Sequence, residues 1–339
     1  MNKVIDISRD NLPFISIIMP IRDEAGFIEQ SLKAVLKQDY AHERMEVVIV
    51  DGMSEDGTRK IVQRIISELK DHSPRLFFLD NPSHVVPIAL NIGLRQAQGE
   101  IIMRIDGHCE IAPDYVRRCV ELFQNIKADC VGGVMKTIGK TFIAQSVALA
   151  QSSFFGVGGV AFRTGRKIPG YVDTVAFGAY QRGVFERIGN FDEELVRNQD
   201  DEFNFRLIKS GGKIWLDPAI RSTYYSRANL RSLWRQYFQY GFWKVRVIQK
   251  RGAIPSLRHI VPLLFVLGIL GSLLISIVTR KHLFSLTIIG SYIIINICMS
   301  IWESRKNCKT IVLLPISFFI IHFSYGIGFL FGLWRWRKF

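Results

Sequence analysis

The sequence predicts an α/β domain built on a mostly parallel sheet, followed by a membrane-bound tail. Three observations predict it. Short apolar runs alternate with segments of helical period through the first third of the chain. Polar residues close three of those runs, at Arg22-Asp23-Glu24, Asp51 and Asp106. Three long uncharged apolar runs follow at 260–278, 283–302 and 310–333.

The elements follow in order. Phe14–Pro20 reads as a first buried strand stopped by its proline, and Arg22–Gly26 as a polar turn. Phe27–Leu36 sets Ile28, Leu32, Val35 and Leu36 on one helical face. Val47–Val50 is the second strand, and Asp56 or Thr58 is the expected cap of a helix over Arg59–Leu69. A strand over Leu76–Leu79, a helix over Val86–Gln96 and a strand over Ile101–Asp106 complete a β-α-β-α-β-α-β order. That order implies a right-handed parallel layer with its closing polar residues along one carboxyl edge, where open α/β sheets bind ligands. Helix capping and turn formation account for Asp56 but not for Asp51 or Asp106. Asp106 and His108 stand two apart, so on an extended end they point to one side and can grip a divalent cation. A strand that merely ends in a turn would carry the same residues.

The second half changes character. Cys130–Met135 and Lys213–Leu216 read as strands, and Val172–Tyr180 as an alternating segment. Arg197–Leu207 opens a helix with Asp200, Asp201 and Glu202, three acids that a helix dipole favours in its first turn. Asn229–Arg251 mixes Trp234, Tyr237, Phe238, Tyr240, Phe242 and Trp243 with arginines and lysines. It fits an amphipathic helix on a membrane surface, or equally a core helix. The expected division is 1–228 catalytic, 229–258 interfacial and 259–339 membrane domain.

Each apolar run is long enough for a hydrocarbon core of ~30 Å, which takes about 20 residues. Mean hydropathy is +0.17 and net charge +14; residues 259–339 hold eight Lys/Arg against one acid, half of that excess. Cations beside apolar spans suit anionic headgroups. Nucleic acid is excluded as the partner, because 1–228 carries no dense basic run. Cys109, Cys119, Cys130, Cys298 and Cys308 form no CxxC pair and read as free thiols in a reducing compartment. The first residues, Met-Asn-Lys-Val-Ile-Asp-Ile-Ser, have no apolar core, so no signal peptide is expected. Lys244, Arg246, Lys250, Arg251 and Arg258 precede the first span and place the N-terminal part in the cytoplasm, beneath the inner membrane. Three full spans would then strand Arg335, Arg337 and Lys338 outside. Pro315, Gly326, Gly328 and Gly332 make the third run the expected irregular one, re-entrant or interfacial.

Ile18–Glu24, Ile49–Thr58, Asp106-Gly107-His108 and Gln199-Asp200 together resemble the motifs of family two inverting GT-A glycosyltransferases. Asn81-Pro82, Ala89-Leu90-Asn91-Ile92-Gly93, Arg104–His108 and Arg197–Glu202 narrow the resemblance to succinoglycan-biosynthesis type glucosyltransferases of bacterial exopolysaccharide pathways. It runs from about Phe14 to Lys250 and into the tail. The resemblance implies a Rossmann-like GT-A domain and a UDP-sugar donor. Pro20, Ile21, Arg22 and Glu24 would border the nucleotide, Asp51 would accept from the uracil N3–H, and Asp106 would contact ribose and diphosphate. Asp106 and His108 would hold Mn²⁺ or Mg²⁺; imidazole in place of the family's usual Asp favours a transition metal. Asp200 would be the general base, with Gln199 where the family usually has Glu. Asp201, Glu202 and Arg206 would be secondary or acceptor-orienting. Gln239–Trp243 resembles the Gln-x-x-Arg-Trp motif of processive synthases, but Phe242 replaces its Arg; Gln239 and Trp243 would line an acceptor site. The acceptor so implied is a polyprenyl-linked saccharide. Transfer to polyprenyl phosphate itself is the alternative enzyme, and a non-catalytic nucleotide-binding membrane protein the alternative of another class. No Gly-x-Gly-x-x-Gly follows the first strand, against a Rossmann dehydrogenase.

Overall fold

The computed structural model describes residues 12–69, 73–226, 229–254, 256–305 and 307–337, so the expectation for the first eight residues lies outside them. The chain divides into two compact units. Met1–Lys136 with Gly165–Tyr224 form the first, and Thr137–Thr164 with Tyr225–Phe339 the second.

In the first unit, β1 (Ile15–Ile21), β2 (Met45–Asp51), β3 (Arg75–Asp80) and β4 (Ile101–Arg104) are parallel, joined by α1 (Ile28–Leu36), α2 (Thr58–Ser67) and α3 (Val86–Gln96). β1 and β2 are buried along their whole length, as their near-continuous Ile, Val and Met runs require of a sheet covered on both faces. Then follow β5 (Cys109–Ile111), α4 (Tyr115–Asn125) and β6 (Cys130–Ile138). α5 (Phe142–Gln151), α6 (Phe154–Val157) and α7 (Ala161–Thr164) belong to the second unit. β7 (Gly170–Val172), β8 (Ala176–Gln181), α8 (Arg182–Ile188), α9 (Gln199–Lys209) and β9 (Ile214–Tyr225) return to the sheet, whose order is β3-β2-β1-β4-β8-β6-β9-β5 with β7 on β9.

The sheet is of the expected class, and three local expectations are corrected. β3, β2, β1 and β4 form the expected parallel layer, and β8 pairs antiparallel with β4 to extend it into a mixed half. The alternating segment Val172–Tyr180 holds the end of β7 and most of β8, and the short strand expected at Lys213–Leu216 runs twelve residues. Helix α2 is not capped by a side chain: its N-cap is Gly57 at φ 98°, and Asp56 accepts from the Thr58 N–H at 3.0 Å instead. Strand β4 ends at Arg104, and Gly107-His108 form a turn, so Asp106 and His108 do not alternate along an extended end.

The second unit is helical. α10 (Leu230–Arg251) is capped by Asn229, which accepts from the Ser232 N–H at 2.8 Å. α11 (Val261–Thr279), α12 (Leu283–Ser304) and α13 (Leu314–Arg335) are long and apolar enough to cross a membrane. The third apolar run is not irregular. Pro315 sits in the first turn, where no donor is lost, and α13 continues unbroken. α13 occupies the core of this unit: its Leu314, Phe318, Ile321, Tyr325 and Phe329 pack with Val147 and Ala150 of α5 and Leu233, Tyr237 and Val245 of α10.

Candidate functional site

The register sets Ile21, Asp51 and Asp80 in one row across the carboxyl ends of β1, β2 and β3. Two loops leave this edge and are stitched together. Asp23 N–H donates to Ser54 Oγ at 2.9 Å, Glu24 N–H to Thr58 Oγ1 at 2.8 Å and Ala25 N–H to Asp56 Oδ2 at 2.9 Å. Asp23 and Met53 hold left-handed backbone at φ 52° and 57° where the loops turn. Pro20 and Ile21 are buried at the end of β1, while Arg22 is exposed, reaching the His84 carbonyl at 3.3 Å.

Asp51 is fully covered. Oδ1 accepts from Ser54 Oγ at 2.5 Å, and Oδ2 from Ser54 N–H at 3.0 Å and Arg59 at 2.6 Å. A carboxylate offers about four lone-pair positions, so one remains on Oδ1. Arg59 also reaches Asp80 at 2.8 Å and is shared between the two strand ends.

The turn after β4 forms the second half of the edge. Arg104 clasps Asp106 through Nε at 2.9 Å and Nη2 at 3.2 Å, with both side chains under one-fifth exposed. Burial pushes the Asp106 carboxyl up. The Arg104 charge, then His108, the Arg104 hydrogen bond and Arg197 outweigh that and hold it below the usual carboxylate range. Gly107 lets the chain pass close here, since a Cβ would meet Glu24 Cγ and Ile21 Cγ2, each at 3.0 Å. That close approach seats His108 Nδ1 on Glu24 Oε1 at 2.7 Å and its ring edge-on to Tyr224, 4.8 Å between centroids.

Arg104 Nη1 is buried and has no hydrogen-bond partner among the described residues. The carboxylate it faces is Asp200, at 3.8 Å from Oδ2. Asp200 is half exposed in the first turn of α9, which follows Asn198 in left-handed backbone at φ 62°. α9 is anchored by Asn204, which accepts from Tyr180 Oη at 2.8 Å and donates to Thr174 Oγ1 at 2.9 Å. Glu202 is buried, and its carboxylate goes to Arg206, which also donates to the Ile188 and Asn190 carbonyls. Asn91 of α3 binds the segment leading to α9, through the Phe191 N–H and carbonyl at 3.1 and 2.9 Å.

The structure therefore brings Asp106 and Asp200 to Arg104 and pairs Glu24 with His108 beside them, with Pro20, Ile21, Arg22 and Asp51 along the same sheet edge. Asp201 lies beside Asp200, its N–H on Asp200 Oδ1 at 2.9 Å. Gln239 and Trp243 are on α10 in the second unit, the Trp243 ring tilted against Trp336 with 5.7 Å between centroids. Arg104 and Asn91 carry roles that the motifs containing them do not assign. A charged residue closing a short buried strand, as Arg104 does after Ile101-Ile102-Met103, is the signal that singles it out.

No three His, Cys, Asp or Glu side chains converge as a preformed metal cage among the described residues. The residues nonetheless fit a shared cation. A metal-binding imidazole commonly gives its other nitrogen to a carboxylate, which is how Glu24 holds His108 Nδ1. Arg104 takes one position on each Asp106 oxygen and leaves others open.

A model of the glycosyl transferase family 2 matches residues 16–189. The succinoglycan biosynthesis protein ExoA of Rhizobium meliloti is 34% identical over 76% of this chain and 77% of its own. A Methanococcus voltae dolichyl N-acetyl-alpha-D-glucosaminyl phosphate 3-beta-D-2,3-diacetamido-2,3-dideoxy-beta-D-glucuronosyltransferase is 29% identical over 94% of this chain and 97% of its own. Among solved structures, a Pyrobaculum calidifontis mannosyltransferase in complex with GDP-Man and Mn²⁺ superposes with TM-score 0.64 at 18% identity, covering 98% of this chain and 90% of that one.

Proposed function

The chain belongs to glycosyl transferase family 2, and from that membership we propose a membrane-bound inverting transferase that moves a sugar from a UDP-sugar to a lipid-linked saccharide at the cytoplasmic face. Glucose is the sugar the resemblance favours. The observation that carries the reading is the Asp106–Arg104–Asp200 array, one buried guanidinium between a donor-side carboxylate and a half-exposed one.

Inversion is a single in-line displacement at the anomeric carbon. The acceptor oxygen forms the new glycosidic bond as the bond to the nucleoside diphosphate breaks, and Asp200 takes the acceptor's proton. Arg104 positions Asp200 and Asp106 together. Pro20, Ile21, Arg22 and Glu24 border the nucleotide. Asp51 receives the base N3–H on the open position of Oδ1. A divalent cation, Mn²⁺ or Mg²⁺, would be held by His108 and Asp106 and would neutralise the charge gathering on the leaving diphosphate. Asp201 borders the acceptor, and Glu202 supports α9 through Arg206. The M. voltae relative, whose name describes a sugar transferred to a dolichyl-phosphate-linked sugar, supports a lipid-linked saccharide over bare polyprenyl phosphate as acceptor.

The test is release of nucleotide by the protein in membranes, offered UDP-glucose and a panel of other nucleotide sugars with each lipid acceptor. UDP release that depends on a lipid-linked saccharide, with inverted product, is expected. Accumulation of a lipid monophosphate sugar instead supports the alternative acceptor, and no release with any donor contradicts the enzyme reading.

A further inference from the structure

Three helices of the second unit have the length to cross a bilayer. We propose that only the α11–α12 hairpin does so, and that α13 lies with α10 in the headgroup layer, on the side of the membrane where α10 begins. The inference uses the membrane attachment of the proposed function but none of its chemistry.

α10 and α13 run side by side in the same direction. Trp234 lies near Phe323, 6.2 Å between ring centroids. A Cβ at Gly241 would meet the Tyr325 carbonyl oxygen at 2.0 Å, and one at Gly328 the Phe238 carbonyl oxygen at 2.1 Å. Further along, a Cβ at Gly332 would meet the Phe242 carbonyl oxygen at 2.7 Å. Trp336 then packs on Phe242 and Trp243, each at 5.7 Å, and its carbonyl accepts from Gln249 at 3.1 Å. Positions 234 to 249 thus rise with 323 to 336, and three glycines bring the backbones into contact. Whatever depth α10 has, this stretch of α13 shares.

α10 cannot sit in hydrocarbon. It carries Arg231, Arg235, Lys244, Arg246, Lys250 and Arg251, so cations recur along its whole length. Charged side chains at the bilayer centre are costly, whereas a helix mixing cations with Trp, Tyr and Phe suits the interface. The first half of α13 is also covered by protein. Ser317 Oγ meets Ser146 Oγ of α5 at 3.0 Å, and His322 Nε2 meets the Phe155 carbonyl of α6 at 2.7 Å. Half of α13's most apolar window is buried inside the protein, against 22% for the first span and 17% for the second. Leu264, Leu267, Leu270, Leu274, Ile294 and Ile297 of the hairpin are exposed, as lipid-facing residues should be.

Charge placement agrees. With one hairpin, Arg335 and Arg337 join Arg246, Arg251 and Arg258 on one side, and the opposite side holds Arg280 and Lys281 at the hairpin tip. That removes the conflict with the positive-inside rule left by three crossings. Arg246 and Arg335 lie over the Trp336 ring at 5.1 and 5.0 Å, and Arg337 over Trp334 at 5.9 Å. Tryptophan paired with arginine is the composition of an interfacial belt.

Single cysteines test the arrangement. In the full chain, with the exposed Cys298 and Cys308 changed to Ser, Arg337→Cys and Lys281→Cys are treated with a membrane-impermeant maleimide in intact cells and in inverted membrane vesicles. Lys281→Cys is expected to label in intact cells, and Arg337→Cys only in inverted vesicles. Label at both in intact cells means three crossings and overturns the inference while the membrane reading stands. Label at both only in inverted vesicles means no crossing, and overturns both. Should either variant fail to accumulate, a fluorescent protein or alkaline phosphatase fused after Phe339 reads the same sidedness, with phosphatase activity as the contradicting result.

Discussion

Replacing Arg104 with Met removes the cation from the centre of the site and keeps the side chain's bulk. Asp106 loses both hydrogen bonds, at 2.9 and 3.2 Å, while its carboxylate stays mostly buried. Breaking a buried pair by deleting one partner costs about 3–5 kcal/mol, and the residual solvent contact here places the expectation near about 3 kcal/mol. Asp200 is half exposed at 3.8 Å, so its share is roughly 0–1 kcal/mol. A loss of about 3 kcal/mol lowers Tm by roughly 6–12 °C in a unit of this size. The loss also depends on pH. The folded Asp106 carboxyl is held below its unfolded value, so its contribution is complete above pH of about 4 and fades as pH falls through the lowered folded value. In Arg104→Met that depression goes, and the pH dependence of stability below about pH 4 flattens. Transfer should fall by about 10²-fold, the effect of a displacement near 1 Å at reacting groups. Thermal unfolding across pH and nucleotide release on the same preparations measure both. Arg104→Lys keeps the charge but not the fork, and should recover stability more than rate. Addition of Asp106→Asn to Arg104→Met should cost less than the sum of the singles. A variant with wild-type rate and acid stability would refute the role given to Arg104.

The remaining predictions are these. His108→Ala should weaken donor binding in the presence of Mn²⁺, and Glu24→Gln, which loosens the hold on His108 Nδ1, should weaken metal affinity by about 10–100-fold; calorimetry with and without chelator reads both, and chelator-insensitive binding would remove the cation from the account. Gly241→Leu should unfold the second unit, because even a Cβ there meets the Tyr325 carbonyl oxygen at 2.0 Å; loss of detergent-soluble monomer on size exclusion is the readout, and a wild-type profile contradicts the α10–α13 contact.

Much of this was legible in the residues because buried parallel strands write themselves as unbroken apolar runs. Ile15–Ile21 and Met45–Asp51 emerged within two residues of their expected bounds, and Val86–Gln96 at its expected bounds. The mixed half of the sheet was not. β9 passes through Asp217-Pro218 and alternates only in part, so local pattern showed its first residues alone. At the site, the acids declared themselves by closing strands, but their partners did not. Arg104 gains its meaning from Asp200, ninety-six positions away, and Glu24 from His108, eighty-four away. Such pairings are set by the fold. α13 shows the same limit in the second unit: apolar composition marks length, whereas burial against α10 is a property of packing.

The central claim is that Asp200 is the base of a transfer reaction and no part of the donor site. Asp200→Asn keeps the shape and removes the group that takes the proton. UDP binding by calorimetry and sugar transfer to a lipid-linked acceptor, measured on one preparation, separate the two roles. The account predicts transfer lowered by about 10²–10⁴-fold with UDP affinity unchanged. Loss of UDP binding together with transfer, or transfer that persists, would contradict it.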